Sequence, residues 1–116
     1  PRPALERLEA AGVEVVVVGG PTAEARVANA LDELGQRGVQ SLLLEGGPRL
    51  AAAFLAAGEV DELRVFVAPI LVADRDAPRP LAGSGPEAIA DALRAQVESV
   101  ERIDDDVLIH ARLREW

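Results

Sequence analysis

The chain is 116 residues long, about the size of one domain, and its 12 basic and 20 acidic residues give a net charge of −8. A nucleic acid or an anionic membrane would be expected to meet a basic surface, and no basic cluster is present, so neither partner is expected. The absence of cysteine excludes disulfides, thiol nucleophiles and cysteine-based metal sites. A cytoplasmic location fits this composition.

Lysine and methionine are also absent from the chain. All 12 basic residues are arginines, so chemistry that requires a lysine is not expected from these residues. The chain begins with Pro1 and contains no methionine, whereas an independently translated protein normally starts with one. We therefore expect residues 1–116 to be part of a longer protein.

The first third of the chain predicts a helix, a strand and a second helix. Apolar residues at helical spacing indicate a short helix over 3–11, and the valine-rich run 13–18 favours a strand that is covered on both faces. This strand stops at Gly19 and Gly20. A helix is then predicted over 23–37, with Thr22 as its N-cap. Glycines are expected to end the predicted helices at positions 12, 38 and 58.

The most informative stretch runs from an apolar strand predicted over 40–44 into a helix predicted over 48–57. Pro48 suits the first helical position, where its missing N–H costs nothing. A strand that turns through Gly46 and Gly47 into a helix leaves backbone N–H groups and the positive end of the helix dipole free, which favours a phosphate. A tight turn without a ligand is the alternative interpretation, since short glycine motifs often occur by chance.

Glu45 favours the ligand site, because a carboxylate beside an anion site could bind a polar group of a substrate. The strands at 13–18 and 40–44 alternate with helices and are therefore expected to be parallel neighbours. Both glycine turns would then open on the same edge of the sheet.

The rest of the chain predicts a strand over 61–69, a proline- and glycine-rich loop over 70–86 and a short helix over 87–94 with Ile89 and Leu93 inward. Strands over 97–103 and 107–113 form a hairpin around three aspartates. This hairpin is the antiparallel end of a mostly parallel sheet.

Other residues that could carry chemistry have simpler interpretations. His110 falls on the polar alternation of the last strand, which favours a surface or dimer contact over catalysis. The charged loop 74–76 is interpreted as a solvated tip rather than a metal site. Neither a catalytic triad nor a metal-ligand set can be assembled from the sequence.

Five motifs, taken together, are more specific than either glycine pair alone. They are Leu44-Glu45-Gly46-Gly47-Pro48, Ala53-Phe54-Leu55, Val60-Asp61-Glu62-Leu63-Arg64, Val67-Ala68-Pro69-Ile70-Leu71 and the hairpin from Val100-Glu101-Arg102 to Asp105-Asp106-Val107-Leu108. In this combination the chain resembles, over essentially its whole length, the reductase domain of the riboflavin-biosynthesis deaminase–reductases. That domain belongs to the dihydrofolate reductase superfamily.

The resemblance implies a dihydrofolate-reductase-like three-layer α/β/α fold, with a mostly parallel sheet that ends in an antiparallel C-terminal hairpin. It also implies NADPH-dependent reduction of 5-amino-6-(5-phosphoribosylamino)uracil to the ribitylamino product. Residues 1–116 would be the C-terminal part of a single reductase domain, whose first strands and substrate-side lysine would precede Pro1.

The resemblance further implies residue roles. Glu45 would face the substrate, and the glycines of the first turn would lie near the adenosine end of the cofactor. The second turn and the helix start would hold the diphosphate, and the Gly46–Gly47 peptide is expected to be cis. The residues assigned to the cofactor are Gly19, Gly20, Gly46, Gly47, Pro48, Arg49 and Leu50.

A homodimer through the C-terminal strands is expected, with Trp116 contributing to the contact. Coverage of the hairpin by an N-terminal part of the same chain is the alternative. For the function, two alternatives remain: a reductase of the same superfamily acting on a pterin, and a non-catalytic, truncated module that dimerises.

Overall fold

The computed structural model describes residues 2–114 and divides the chain into one unit that ends at Gln40 and a second that begins at Ser41. The first unit contains helix α1 (Arg2–Ala10) and helix α2 (Ala23–Gln36). Both helices were predicted, and their observed limits differ from the prediction by no more than one residue. Val27, on the apolar stripe of α2, is buried.

Helix α2 has the cap that its sequence predicts. The Thr22 hydroxyl oxygen accepts a hydrogen bond from the Ala25 amide at 3.1 Å, which satisfies one of the free donors of the first turn. At the other end, Arg37 donates to Glu14 at 2.6 Å and to Glu33 at 2.8 Å. The hydrogen bond to Glu14 is the largest of the effects that raise the pKa of Arg37. This arginine therefore ties the end of α2 to the extended segment before it.

The predicted closing glycines are confirmed at all three helix ends, including that of α3 (Pro48–Ala56) in the second unit. Gly12, Gly38 and Gly58 have φ angles of 79°, 82° and 70°, which a residue with a Cβ adopts only with strain. The residue after each glycine donates its N–H to the carbonyl five positions earlier, at 3.0 Å in every case. This is the Schellman arrangement, and it stops each helix at a defined residue.

The second unit contains a three-stranded sheet made of β1 (Glu62–Val67), β2 (Gln96–Ile103) and β3 (Asp106–Arg112), in the order β1-β3-β2. Both pairs are antiparallel. The predicted C-terminal hairpin is thus confirmed as β2–β3, with a register shift between Val97 and Ser99 that marks a bulge. Strand β3 lies at the centre, so among the described residues the open edges of the sheet belong to β1 and β2.

The strand register gives the sheet one face with apolar neighbours and one with polar neighbours. Val65, Ile109 and Val100 are cross-strand neighbours on one face, as the predicted apolar alternation of β3 requires. On the other face Arg64, His110 and Ser99 align. The buried apolar residues of this unit are Phe54, Leu108 and Ala111.

The predicted parallel sheet is not present in residues 2–114. The apolar runs 13–18 and 40–44 form no strand there, and Val17 and Leu43 are each 78% exposed rather than covered. The physical reason is that a strand depends on hydrogen bonds to a neighbour, and apolar β-branched sequence alone does not supply one. Strand β1, predicted over 61–69 as a parallel member, pairs antiparallel with β3 instead.

The helix predicted over 87–94 is also wrong. Only a single 3₁₀ turn forms there, at Ile89–Asp91, and Ile89 and Leu93 are 87% and 70% exposed instead of inward. So short a segment cannot repay the cost of helix nucleation unless it packs on a neighbour. The preceding loop prediction over 70–86 is confirmed, since no helix or strand interrupts it.

Candidate functional site

The start of α3 forms as the sequence predicts. The chain reaches the helix in an extended conformation, Gly47 is the N-cap residue and Pro48 occupies the first helical position. The Gly47 carbonyl accepts from the Leu50 amide at 3.0 Å and from the Ala51 amide at 3.1 Å. Within residues 2–114 no side chain caps this helix, and the Arg49 amide has no backbone acceptor. The positive end of α3 is therefore open to an anion.

The two glycines of this turn differ in the space around them. A Cβ atom on Gly46 would lie 2.7 Å from the Leu50 Cδ2 atom, whereas one on Gly47 would meet nothing within 4 Å. A side chain at Gly46 would therefore require the Leu50 side chain to move. Gly47 leaves an open space beside the free amides, where a ligand could approach the backbone.

The expected cis peptide between Gly46 and Gly47 is wrong, because no peptide bond within residues 2–114 is cis. A cis bond outside proline costs about 3–4 kcal/mol and persists only where its surroundings enforce it.

The polar side chains of this turn are exposed. Glu45 and Arg49 both point into solvent, and neither makes an ion pair or a side-chain hydrogen bond to any residue between 2 and 114. The segment thus presents one carboxylate, one guanidinium and free backbone donors within five consecutive residues. This set could bind a phosphate and a hydroxyl group side by side.

The first glycine turn, in the other unit, is held by side chains of α2 that the sequence analysis missed. Asn29 donates to the Gly19 carbonyl at 2.7 Å, and Arg26 donates to the Gly20 carbonyl at 3.0 Å. The sequence contained a signal for these contacts, because Arg26 and Asn29 are three residues apart and therefore lie on one face of the helix. A Cβ atom on Gly20 would lie 2.8 Å from the Arg26 backbone nitrogen, so this glycine is required by packing.

The predicted site residues therefore fall into two groups. One sequence-contiguous group contains Glu45 and the predicted cofactor residues from Gly46 to Leu50, and the structure keeps it together at the start of α3. The turn at Gly19 and Gly20 belongs to the unit that ends at Gln40. The predicted common edge for both turns remains a prediction.

The other polar candidates have local partners. His110 lies 3.1 Å from a Glu62 carboxylate oxygen on the sheet, and Asp74 accepts from the Asp76 amide at 2.9 Å within its loop. Trp116 lies outside the described residues. No acidic or histidine cluster suited to a metal ion occurs between residues 2 and 114, and in the same range no helix has the length and apolarity needed to span a bilayer.

The family of this chain is identified by comparison with known proteins. The model of the RibD C-terminal domain matches residues 1–109, nearly the entire chain. The chain belongs to the RibD C-terminal domain family. This confirms the resemblance seen in the sequence motifs.

Relatives of this RibD C-terminal domain are longer proteins. The riboflavin biosynthesis protein RibD of Actinobacillus pleuropneumoniae is 32% identical over 90% of the chain, which covers 28% of that relative. The 2,5-diamino-6-ribosylamino-4(3H)-pyrimidinone 5′-phosphate reductase of Methanothermobacter thermautotrophicus is 36% identical over 83% of the chain and 44% of the relative. The chain thus spans less than half the length of either relative.

A solved structure supports the fold. A pyrimidine reductase-like protein from Corynebacterium diphtheriae superposes with a TM-score of 0.77 at 24% identity, over 99% of this chain and 45% of that one. At this identity the likeness concerns the fold alone. The RibD C-terminal domain described here therefore has an α/β fold.

Proposed function

We propose that this chain is part of an NADPH-dependent reductase of riboflavin biosynthesis that reduces 5-amino-6-(5-phosphoribosylamino)uracil to its ribitylamino product. Membership of the RibD C-terminal domain family supports the pathway. The name of the Methanothermobacter thermautotrophicus relative supports a phosphorylated ribosylaminopyrimidine as the substrate class. The main observation in its support is that the N-terminus of α3, which follows the two glycines of the turn, has no side-chain cap within residues 2–114.

The residues at this helix start fit a dinucleotide cofactor. Gly47 leaves room for a phosphate to reach the backbone, and the Arg49 amide is a donor without a backbone acceptor in residues 2–114. Pro48 and Leu50 complete the first turn, whose dipole attracts the negative charge of a diphosphate. The Arg49 guanidinium, exposed and near this amide, can add a charge-assisted hydrogen bond. NADPH, once bound, supplies the hydride, and these residues bind and orient it.

Glu45 would then bind the substrate. Its carboxylate directly precedes the phosphate-binding turn, is exposed and has no partner between residues 2 and 114. An ionised carboxylate accepts hydrogen bonds, so it can orient the hydroxyl groups of a ribose or ribityl chain. Orientation of this kind lowers the barrier because it removes the entropy cost of alignment from the chemical step.

The remaining parts of the proposal concern the whole protein. Residues 1–116 form the C-terminal part of a dihydrofolate-reductase-like, three-layer domain. In that domain the turn at Gly19 and Gly20 lies near the adenosine end of NADPH. The partial coverage of the relatives supports this organisation. The absence of cysteine is in keeping with a reducing cytoplasm.

The proposal also includes a homodimer through the C-terminal strands. Strand β2 offers an open edge, since within residues 2–114 only β3 pairs with it, and its Val97 and Val100 side chains are 57% and 62% exposed. Exposed apolar residues on an unpaired edge favour association with a second strand. Sedimentation of the complete protein at micromolar concentration tests this, and a monomer there would contradict it.

The cofactor site is tested by Gly47→Val in the complete protein, with NADPH binding measured by calorimetry. A Cβ atom at this position would meet no described protein atom within 4 Å, so the fold should tolerate a side chain that blocks the phosphate, and we expect at least a tenfold loss of affinity. Gly85→Val is the matched control, because Gly85 also has open space around it. Unchanged NADPH affinity in Gly47→Val would contradict the cofactor assignment.

The substrate assignment is tested by Glu45→Gln, with Glu87→Gln as a control at another exposed glutamate. Turnover and substrate affinity should fall in the Glu45 variant alone, while NADPH affinity stays near that of the parent. Oxidation of NADPH should require the ribosylaminopyrimidine phosphate. Turnover of dihydropterins instead would favour a pterin reductase, and cofactor binding without any turnover would favour a non-catalytic module.

A further inference from the structure

Three arginines line one cleft at the end of the sheet farthest from the β2–β3 turn. The cleft has a volume of about 180 Å³ and is lined by Arg94, Gln96, Arg112, Leu113 and Arg114. Register explains part of this grouping, because Gln96 and Arg112 are paired across β2 and β3. Since a water molecule occupies about 30 Å³ of liquid, the cleft has room for about six waters or a phosphate group.

Two of the three arginines of this cleft have carboxylate partners, and these ion pairs are long. Arg94 makes no ion pair within residues 2–114. Arg112 lies 3.8 Å from Glu98, and Arg114 lies 3.4 Å from its two carboxylate partners. Well-formed charge-assisted hydrogen bonds are shorter, at about 2.7–2.9 Å.

A buried donor in the same cleft has no partner. The Nε atom of Arg112 is buried and makes no hydrogen bond to any residue between 2 and 114. An unsatisfied donor on a charged group is costly, and an anion in the cleft would remove that cost. Glu98 lies beside Arg112, and Glu59 and Asp61 lie beside Arg114. Arg94 and the Nε atom of Arg112 still lack a partner within residues 2–114, and these two donors point to an anionic ligand.

A second, apolar cleft adjoins the first. It measures about 190 Å³ and shares Leu113 and Arg114 with the arginine cleft, while Leu55, Val60 and Leu93 supply its apolar wall. Leu93 is 70% exposed, so part of this wall is open to a ligand. The two clefts together suit a molecule with an anionic head and a small apolar body.

We propose that these adjoining clefts form a binding site for a phosphate monoester that carries a small apolar or aromatic group. The phosphate lies among Arg94, Arg112 and Arg114, and the apolar group contacts Leu93 and Leu113. A phosphate is favoured over a carboxylate because it has three terminal oxygens, one for each guanidinium group. The site lies outside the start of α3, and the family match ends at residue 109, before two of the arginines. It does not depend on the function proposed above.

The experiment is an NMR titration of the complete protein with phenyl phosphate, followed by inorganic phosphate, phenol and benzoate. Phenyl phosphate should bind saturably, shift the amides of 93–96 and 112–114, and bind more tightly than any of the other three compounds. Shifts confined to 46–50 would place the phosphate at the start of α3 and overturn the proposal. Benzoate binding as tightly as phenyl phosphate would overturn it as well.

Variants locate the two halves of the site. Arg94→Ala should weaken phenyl phosphate about tenfold, as expected for one charged hydrogen bond, and Leu93→Ala should weaken phenyl phosphate but not inorganic phosphate. Arg102→Ala is the matched control, because Arg102 lies six residues along β2 from Gln96, about 20 Å away. Equal weakening by the Arg94 and Arg102 variants would overturn the proposal. The titration of the unaltered chain decides the location even if a variant fails to fold.

Discussion

The Nε2 atom of His110 lies 3.1 Å from the Oε2 atom of Glu62, across the pairing of β3 with β1. In the register of these strands Glu62 is opposite Arg112 and His110 is opposite Arg64, so the contact is diagonal. An ionised carboxylate only accepts hydrogen bonds, so the ring must carry its proton on Nε2 for this bond to form. The histidine is therefore engaged within the sheet.

A double-mutant cycle measures the contribution of this contact to the free energy of unfolding. We expect Glu62→Gln and His110→Gln to show a coupling of about 0.5 kcal/mol in the free energy of unfolding, because the pair is partly exposed. Urea denaturation of the parent, both single variants and the double variant gives this value. Additive effects would show that the two side chains do not interact in solution.

The cap of α2 is tested by Thr22→Ala. Loss of the hydroxyl leaves the Ala25 amide without its acceptor, and the free energy of unfolding should fall by about 1 kcal/mol. Thermal denaturation followed by circular dichroism measures the change. Thr22→Ser keeps the acceptor and should remain close to the parent. If serine and alanine destabilise equally, the cap does not contribute.

Glu24 predicts a pH dependence. A hydrogen bond from its own backbone amide, followed by one from the Thr22 hydroxyl, lowers the pKa of the Glu24 carboxyl from its ordinary value of 4.5. A lowered folded-state pKa contributes stability above the unfolded-state value, and this contribution is lost as the pH falls below 4.5 through the folded-state pKa. The parent should therefore lose more stability between pH 7 and about pH 3 than Glu24→Gln does.

The urea midpoints of the parent and of Glu24→Gln, measured at pH 7 and at about pH 3, give this comparison. Glu9→Gln is a suitable control, because Glu9 lies on α1 and its side chain makes no hydrogen bond within residues 2–114. The same pH dependence in the parent and in Glu24→Gln would contradict the prediction.

The two glycines of the first turn allow a matched test of packing. A Cβ atom on Gly20 would lie 2.8 Å from the Arg26 backbone nitrogen, whereas one on Gly19 would meet nothing within 4 Å. Gly20→Ala should therefore destabilise the protein by about 1–3 kcal/mol. Gly19→Ala should change stability by no more than about 0.5 kcal/mol. Equal effects in chemical denaturation would show that the close approach to α2 is not maintained.

Local features of this fold could be predicted from the sequence. Thr22, Pro48 and the closing glycines determine where helices begin and end through bonds to residues only a few positions away, so a short window contains the whole cause. The β2–β3 hairpin was predictable for the same reason. The helix start at Gly47 was predictable because its residues are contiguous.

Features that depend on distant residues could not be predicted. The valine run 13–18 has the composition of a strand, but whether it joins a sheet depends on neighbours that composition does not reveal. The central place of β3 depends on its pairing with β1, forty residues earlier or more. The arginine cleft was missed because Arg112 meets Gln96, two residues after Arg94, only through the strand register.

The central position of β3 has a consequence for synthesis of the protein. Residues of β1 meet partners in β3 that are up to fifty positions later, as Glu62 does with Arg112. Since a ribosome releases the chain from its N-terminus at about 5–20 residues per second, β1 waits for several seconds before its partner is translated. During that time its Val65, Phe66 and Val67 lack the strand that pairs with them in the folded structure, so an extended apolar segment stays exposed while the rest of the chain is made.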